Sequence, residues 1–182
     1  MESNRFSKTA RITKVALFTA LMAVSVWVIP PITIPGLAVP FTLQSFFVVF
    51  AGFLLAPIEA MLAMLAYLAL GAAGLPIFAG GRGGLSVLLG PTGGFLFLFP
   101  AIAATISRFR RVSSRIWFRL SLGVLAGIVF LYPAAVVYMS VVTDMPFGTL
   151  LLAMVPYAIL DVLKIVIAEF LARKIERAVT PE

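Results

Sequence analysis

The stretch LLAMVPYAILDVLKIVIAEFLARK, from Leu151 to Lys174, has the length and apolar content of a membrane-spanning helix. Two charged residues, Asp161 and Lys164, lie in the middle of its apolar run. A charge near the bilayer centre costs at least about 2.5 kcal/mol and usually serves a function. Residues three apart share one face of a helix, about one turn from each other. We therefore expect the rest of the chain to form a container around this pair.

The composition is that of an integral membrane protein. The chain has 182 residues, of which 62% are hydrophobic and 12% are charged. Its net charge of +7 comes from residues at the ends of apolar runs, which indicates membrane topology and not nucleic-acid binding. Because the sequence has no Cys and no His, it lacks thiol nucleophiles, the usual metal ligands and an imidazole base. No metal site and no catalytic site is predicted.

Long uncharged runs divide the chain into helices. The run between Lys14 and Glu59 is long enough for two spans and is interrupted by a proline-rich stretch, residues 30–40. The same reasoning applied to the whole chain predicts one all-α membrane domain, residues 1–182. Its six helices are expected at about residues 12–29, 41–55, 58–75, 85–107, 117–139 and 149–174.

The basic residues orient these helices. Twelve of the fourteen fall on one side of the predicted membrane, five of them in the segment 108–119. Of the other two, Arg82 lies in a loop on the opposite side and Lys164 lies within a span. The positive-inside rule therefore predicts that both termini are cytoplasmic. Trp27 and Trp117, at the outer and inner ends of their helices, fit the aromatic belts at the two interfaces.

Three polar features are candidates for a binding site. Asp161 and Lys164 together suit a ligand that presents N–H and C=O groups, such as a urea or an amide, although they could also be a mutually neutralising structural pair. Arg82, flanked by four glycines, could grip a carboxylate at the mouth of a cavity or could be a solvated loop residue. Gln44 is a lone amide in an apolar helix, and the sequence leaves open whether it bonds another helix or a ligand.

Two further patterns concern energy supply and packing. The glycine clusters do not match the phosphate-binding G-x-x-x-x-G-K-[ST] motif, so ATP binding by this chain is not expected. Active transport would then draw on another subunit or on an ion gradient.

Small residues at four-residue spacing, Ala16 and Ala20 in the first helix and Gly123 and Gly127 in the fifth, permit close helix contact. Spacing alone does not show whether the contact is internal or with another protein.

Several motifs occur in a fixed order along most of the chain. They are Val39-Pro40-Phe41-Thr42-Leu43-Gln44, Gly74-Leu75-Pro76-Ile77-Phe78-Ala79-Gly80-Gly81, Gly83-Gly84-Leu85, Leu89-Gly90-Pro91-Thr92-Gly93-Gly94, and the D-x-x-K of Asp161 and Lys164. In this combination the sequence resembles the BioY family, the biotin-specific substrate-binding (S) components of energy-coupling factor (ECF) transporters. One departure is Phe95, which stands where the family usually has tyrosine.

The resemblance implies a six-helix S-component fold in the bacterial cytoplasmic membrane and high-affinity capture of biotin for uptake. It also implies docking on a membrane-embedded T subunit driven by two ATPase subunits, so that ATP is used by the partners only and the chain itself needs no cofactor. Ala16 and Ala20 would contact the T subunit. The residues expected to bind biotin are Asp161, Lys164, Arg82, Gln44, Thr92, Phe41 and Tyr157.

Other function classes fit less well. An intramembrane enzyme could use Asp161 as acid or base, but the sequence offers no His, no Cys and no second carboxylate on the same face. A self-sufficient secondary transporter of biotin or a related small carboxylate is the main alternative.

Overall fold

A computed structural model describes residues 2–28 and 40–179, with side chains from residue 8 onward, and this part of the chain is a bundle of helices. Residues 30–39 of the proline-rich connection predicted between the first two helices, together with the predicted last residue of the first, Ile29, lie outside the described residues. The helices are α1 (Glu2–Val28), α2 (Gln44–Leu54), α3 (Pro57–Ala72), α4 (Leu85–Leu88), α5 (Gly93–Phe109), α6 (Ile116–Thr143), α7 (Phe147–Ala153) and α8 (Val155–Val179).

Helix α5 lies at the centre of the bundle, where it packs against α2, α3 and α6. Helix α1 packs on α3, and α8 packs on α2. The core between them is apolar and closely packed, as shown by the fully buried side chains of Phe53, Met64 and Ile106. The uncharged runs of the sequence supply these apolar faces, so burial of their side chains stabilises the bundle.

The described helices differ in their ability to cross a bilayer. Residues Lys8–Val28 of α1 and the whole of α6 are long and apolar enough to do so. Helices α7 and α8 form a third such unit if the pair, bent by 46°, is counted as one span. The other three long elements, α2, α3 and α5, are apolar but shorter than a standard span.

Two of the predicted helices are interrupted in the structure. The predicted helix 85–107 is divided into α4 and α5 by the turn around Pro91, whose ring cannot continue a helix. The predicted helix 149–174 bends at Met154 between α7 and α8. Pro156 fits the restart, because it lies in the first turn of α8, where its missing N–H leaves no hydrogen bond of the helix unmade.

The two pairs of small residues have opposite surroundings. Gly123 faces the interior, where an added Cβ would lie 2.7 Å from Ile165 Cγ2, so α6 approaches α8 too closely for a side chain. Gly127 is less crowded, since an added Cβ would lie 3.3 Å from Val49 Cγ2, and it lies within a π-helical segment of α6, Leu125–Phe130. Ala16 and Ala20 are instead exposed on α1. The same spacing therefore serves internal packing in α6 and forms an outer surface in α1.

One end of the bundle holds a cluster of buried ion pairs. Arg119 Nε lies 2.9 Å from Glu169 Oε2, and its Nη1 lies 2.8 Å from Glu176 Oε2. Arg110 also pairs with Glu176, and Arg173 Nε lies 2.6 Å from Glu169 Oε1. Burial lowers the pKa of Arg110, and the charge of Glu176 opposes this shift. Glu169 is completely buried, so this cluster ties the loop after α5 to α8.

The same two arginines close the last turn of α2. Arg110 Nη2 donates to the carbonyls of Leu54 at 3.0 Å and Leu55 at 3.3 Å, and Arg119 Nη2 donates to that of Phe53 at 3.2 Å. These carbonyls have no partner within their own helix, and they carry the negative end of its dipole. Positive charge in the segment 108–119 is therefore partly structural, a role that the sequence did not reveal.

Candidate functional site

A cavity of about 650 Å³, including its open mouth, lies at the end of the bundle where α2 and α8 begin. This is within the usual size of small-molecule sites. Its wall comes from α2, α5, α6, α8 and the loop before α4, and most of it is apolar. Six of the seven residues predicted to bind a substrate line it, namely Phe41, Gln44, Thr92, Tyr157, Asp161 and Lys164.

The ammonium of Lys164 is fully engaged within the protein. Lys164 Nζ lies 2.6 Å from Asp161 Oδ1, 2.6 Å from the carbonyl oxygen of Thr42 and 3.0 Å from Ser45 Oγ. These three acceptors use all three N–H groups of a lysine ammonium. Nζ also lies 3.8 Å from the centre of the Phe41 ring, in cation–π contact. The lysine therefore connects α8 to the residues that precede and begin α2.

Asp161 accepts hydrogen bonds from three side chains. Besides Lys164, Ser45 Oγ donates to Oδ1 over 3.1 Å and the Tyr132 hydroxyl donates to Oδ2 over 2.9 Å. A carboxylate has about four acceptor positions, so this arrangement orients Asp161 and leaves capacity for one more donor. The charge is thus compensated by contacts from α2, α6 and α8 together.

Ser45 and Tyr132 both line the cavity, and sequence reasoning missed both. Ser45 is a lone hydroxyl in α2 and Tyr132 is one of several hydroxyl residues in α6, so neither stands out in the sequence. Only the packing of α2 and α6 against α8 brings them to Asp161. Tyr132 also contacts Phe95 edge to face, with ring centres 5.5 Å apart.

Gln44 makes one of the two contacts that the sequence left open, a hydrogen bond to another helix, and it also lines the cavity. Its Nε2 donates to the hydroxyl of Tyr67 on α3, and that hydroxyl in turn donates to the Ile77 carbonyl over 2.9 Å. Its Oε1 accepts from Thr42 Oγ1 at 3.1 Å. Gln44 therefore joins α2 to α3 and to the loop after α3 while it lines the cavity.

The loop after α3 is shaped by glycine. Phe78 and Arg82 form an isolated antiparallel bridge around a tight turn, in which Gly80 and Gly81 have positive φ values of 77° and 66°. The Phe78 ring lies against Gly71, where any side chain would overlap it. This close contact places Phe78 in the cavity wall.

Arg82 does not line the cavity. Its side chain is exposed, and its Nε donates to the carbonyl of Ala79 over 3.1 Å. Ala79 does line the cavity, so the guanidinium is held beside the wall without facing the interior. Its role as a carboxylate ligand stays a prediction.

Aromatic side chains form part of the wall. Phe41 and Tyr157 stack with ring centres 6.4 Å apart and planes inclined by 25°. Both residues line the cavity beside Lys164. A flat, weakly polar ring system can be bound between such surfaces and the polar group at Asp161.

A second, smaller cavity of about 250 Å³ lies on the other side of the polar group. It shares Ser45, Asp161 and Lys164 with the first cavity and is otherwise lined by apolar residues such as Val48 and Ile165. These polar residues therefore form a partition between the open cavity and an inner void. Among the described residues, no group of three or more Asp, Glu, His or Cys side chains could hold a metal ion.

Comparisons with known proteins agree with the sequence motifs. The sequence model of the BioY family matches residues 1–181. The probable biotin transporter BioY of Bacillus subtilis is 35% identical over 171 residues, which are 91% of this chain and 90% of that protein. The biotin transporter BioY of Thermotoga maritima is also 35% identical, over 164 residues that cover 90% of this chain and 94% of that one.

The fold comparison gives the same result. A crystal structure of the S-component for biotin from an ECF-type ABC transporter superimposes with a TM-score of 0.89 and is 27% identical in sequence. The match covers 94% of this chain and 93% of that chain. The predicted S-component fold is thereby confirmed, and the family match over almost the whole sequence means that this chain belongs to the BioY family.

Proposed function

We propose that this chain captures biotin and is the substrate-binding component through which an ECF-type ABC transporter takes it up. The observation that carries this proposal is the oriented carboxylate of Asp161 at the base of an otherwise apolar and aromatic cavity. Biotin combines a urea, an apolar thioether ring and a carboxylate tail. An acceptor for urea N–H groups within an apolar wall matches the ring end of that molecule.

The contacts of the polar group suggest different roles for its members. Asp161 Oδ2 accepts only from Tyr132 among the contacts above, so it is the position at which we expect a ureido N–H to bind. Lys164 has no free N–H in this arrangement, so it can donate to biotin only by giving up one of its partners. If Lys164 exchanged the Thr42 carbonyl for the ureido oxygen of biotin, it would donate an N–H to the ligand and keep its ion pair with Asp161.

The carboxylate of biotin is assigned to the outer end of the cavity. Arg82 is held beside the wall at Ala79 and is exposed, so a small movement of its side chain could bring the guanidinium to a ligand in the mouth. Phe41 and Tyr157 would contact the rings, and Gln44 and Thr92 would complete the polar contacts. This division places the urea deep and the charged tail near the solvent.

The proposal includes the bacterial cytoplasmic membrane as location, with six spans and both termini in the cytoplasm. Supporting this orientation, Arg110 and Arg119 lie at the end of α2 that is opposite the cavity. We further propose that the exposed face of α1 around Ala16 and Ala20 docks on a T subunit, and that two ATPase subunits supply the energy.

Equilibrium binding of radiolabelled biotin to the purified chain tests the function. We expect saturable binding that excess unlabelled biotin displaces and that pentanoic acid, which has the tail but not the rings, does not. Absence of saturable binding by a folded chain would refute biotin capture. Uptake into vesicles with and without ATP then separates the two transport mechanisms. Uptake by the chain alone, without ATP, would favour the secondary transporter.

A further inference from the structure

The segment 108–119, which runs from the end of α5 into the first turn of α6, has both basic and apolar residues at the surface. Its exposed basic residues are Arg108, Arg111 and Arg115. Its exposed apolar residues are Phe109, Val112, Ile116 and Trp117. Trp117 is 78% exposed and Val112 is 67% exposed, so large apolar surface lies directly beside positive charge. We call this stretch the basic-aromatic segment.

The positive charge of this segment is not neutralised within the described protein. Glu169 and Glu176, the acidic residues of the neighbouring ion-pair cluster, bind Arg110, Arg119 and Arg173. That cluster already has three arginines for two carboxylates. Arg111 and Arg115 form no ion pair with any described residue, so their guanidinium groups add to an excess of positive charge.

An open cavity of about 640 Å³ lies within this charged region. It is lined by Arg110, Arg111, Ser114, Arg119 and Glu176, which supply three positive charges and one negative charge. Arg110 and Arg119 are both more than nine-tenths buried, and their contacts with α2 hold them in place. The wall is therefore a preorganised cationic surface with the exposed side chain of Arg111 at its edge.

We propose that this cavity binds the phosphate headgroup of an anionic phospholipid. Arg111, which lines the cavity at its exposed edge, would bind the phosphate, since a guanidinium matches its oxygens in a bidentate contact. Arg115 is exposed in the same segment outside the cavity lining and would add to the positive charge that attracts the headgroup. Val112, Ile116 and Trp117 would lie against the upper acyl chains, where tryptophan is favoured at membrane interfaces. Basic residues directly beside a membrane helix attract anionic lipid. A soluble anion would use the arginines and leave the exposed apolar residues unexplained, so the combination favours a lipid. This inference is independent of biotin binding.

Quenching of Trp117 fluorescence by brominated lipid tests the site. The chain has two tryptophans, so Trp27→Phe leaves Trp117 as the only reporter. The full chain in detergent micelles is titrated with dibrominated phosphatidylglycerol or dibrominated phosphatidylcholine. We expect half-maximal quenching by the glycerol lipid at a mole fraction at least about tenfold lower than by the choline lipid, because basic residues at the membrane surface attract anionic lipid.

Two double variants in the same background locate the effect. Arg111→Gln with Arg115→Gln should bring the ratio of the mole fractions at which the two lipids give half-maximal quenching close to one. The unfolding temperature should not fall, because both side chains are exposed and unpaired. Lys174→Gln with Arg177→Gln makes the same change in net charge outside the segment and should keep the tenfold ratio. Equal quenching by both lipids in the parent, or an unchanged ratio in the first variant, overturns the proposal.

Two further outcomes would assign the surface to another ligand. If millimolar inorganic phosphate abolishes the preference for phosphatidylglycerol, the cavity is a site for free anions and the lipid assignment is wrong. If Arg111→Gln with Arg115→Gln keeps the lipid preference but loses copurification with other transporter subunits, the segment is a protein-docking surface. Biotin binding can be measured on the same samples, so either result can be told apart from a failure of biotin binding.

Discussion

The hydroxyl of Tyr132 donates to Asp161 Oδ2 over 2.9 Å, so a residue of α6 orients the carboxylate carried by α8. This contact lies in the cavity wall, and the donor that orients Oδ2 is uncharged. Because Tyr132 lies next to the position proposed for the ureido N–H, its hydroxyl should influence how tightly biotin binds.

Tyr132→Phe should weaken biotin binding about three- to tenfold, because one hydrogen bond that holds Asp161 is lost while the ring is kept. Equilibrium binding of radiolabelled biotin measures the change. Tyr138→Phe is the matched control, since its hydroxyl donates to the Leu88 carbonyl and does not line the cavity. Equal affinities of the two variants would show that Tyr132 has no role in the site.

Asp161→Asn and Lys164→Ala should each weaken biotin binding at least about tenfold, or 1.4 kcal/mol. The first change replaces an acceptor carboxylate by an amide that is half donor, and the second removes the cation that neutralises Asp161. Titration of the purified variants with biotin gives the affinities, and their unfolding temperatures report the fold. Unchanged affinity in a folded variant would remove that residue from the site.

Ala16→Leu and Ala20→Leu should abolish biotin uptake in cells that contain the complete transporter and leave biotin binding by the purified chain unchanged. Both alanines are exposed, so larger side chains disturb only what docks on α1. Normal uptake by both variants would exclude this surface as the docking site.

Gly123→Ala tests the internal counterpart of the alanine pair. Its new Cβ would lie 2.7 Å from Ile165 Cγ2, so overpacking should destabilise the fold by about 1–3 kcal/mol. The unfolding temperature in detergent should fall for this variant and stay constant for Ala16→Leu. A lower unfolding temperature for Ala16→Leu than for Gly123→Ala would contradict the packing of α6 on α8.

Glu169→Gln should lower the free energy of unfolding by about 3–5 kcal/mol, because Arg119 and Arg173 lose the carboxylate that neutralises them in a buried position. Denaturant titration in mixed micelles measures the loss. Asp144→Asn makes the same chemical change at an exposed residue and should alter stability by less than about 0.5 kcal/mol. Similar losses in both variants would mean that the buried cluster contributes no special stability.

Much of the site was predictable because charge in a membrane helix is rare. Asp161 and Lys164 interrupt an apolar run, and one face of one helix holds both, so their proximity follows from local geometry. The glycine and proline motifs likewise predict where the chain turns. The predicted family and fold class are confirmed by the comparisons.

Contacts between distant segments were not predictable in the same way. Ser45 and Tyr132 are ordinary hydroxyl residues in the sequence, and only the packing of three helices directs both to Asp161. Five arginines in the segment 108–119 look alike, yet Arg110 and Arg119 are buried against glutamates of α8 while Arg111 and Arg115 are exposed.

The sequence by itself determined that this is a helical membrane protein with a charged pair in its last long helical stretch, because hydropathy and helical spacing are local properties of the chain. The tertiary structure decided which polar residues complete the pair, which arginines are structural and which small residues face outward. Those outcomes depend on the free energy of packing one helix against another, and no spacing within a single helix contains that information.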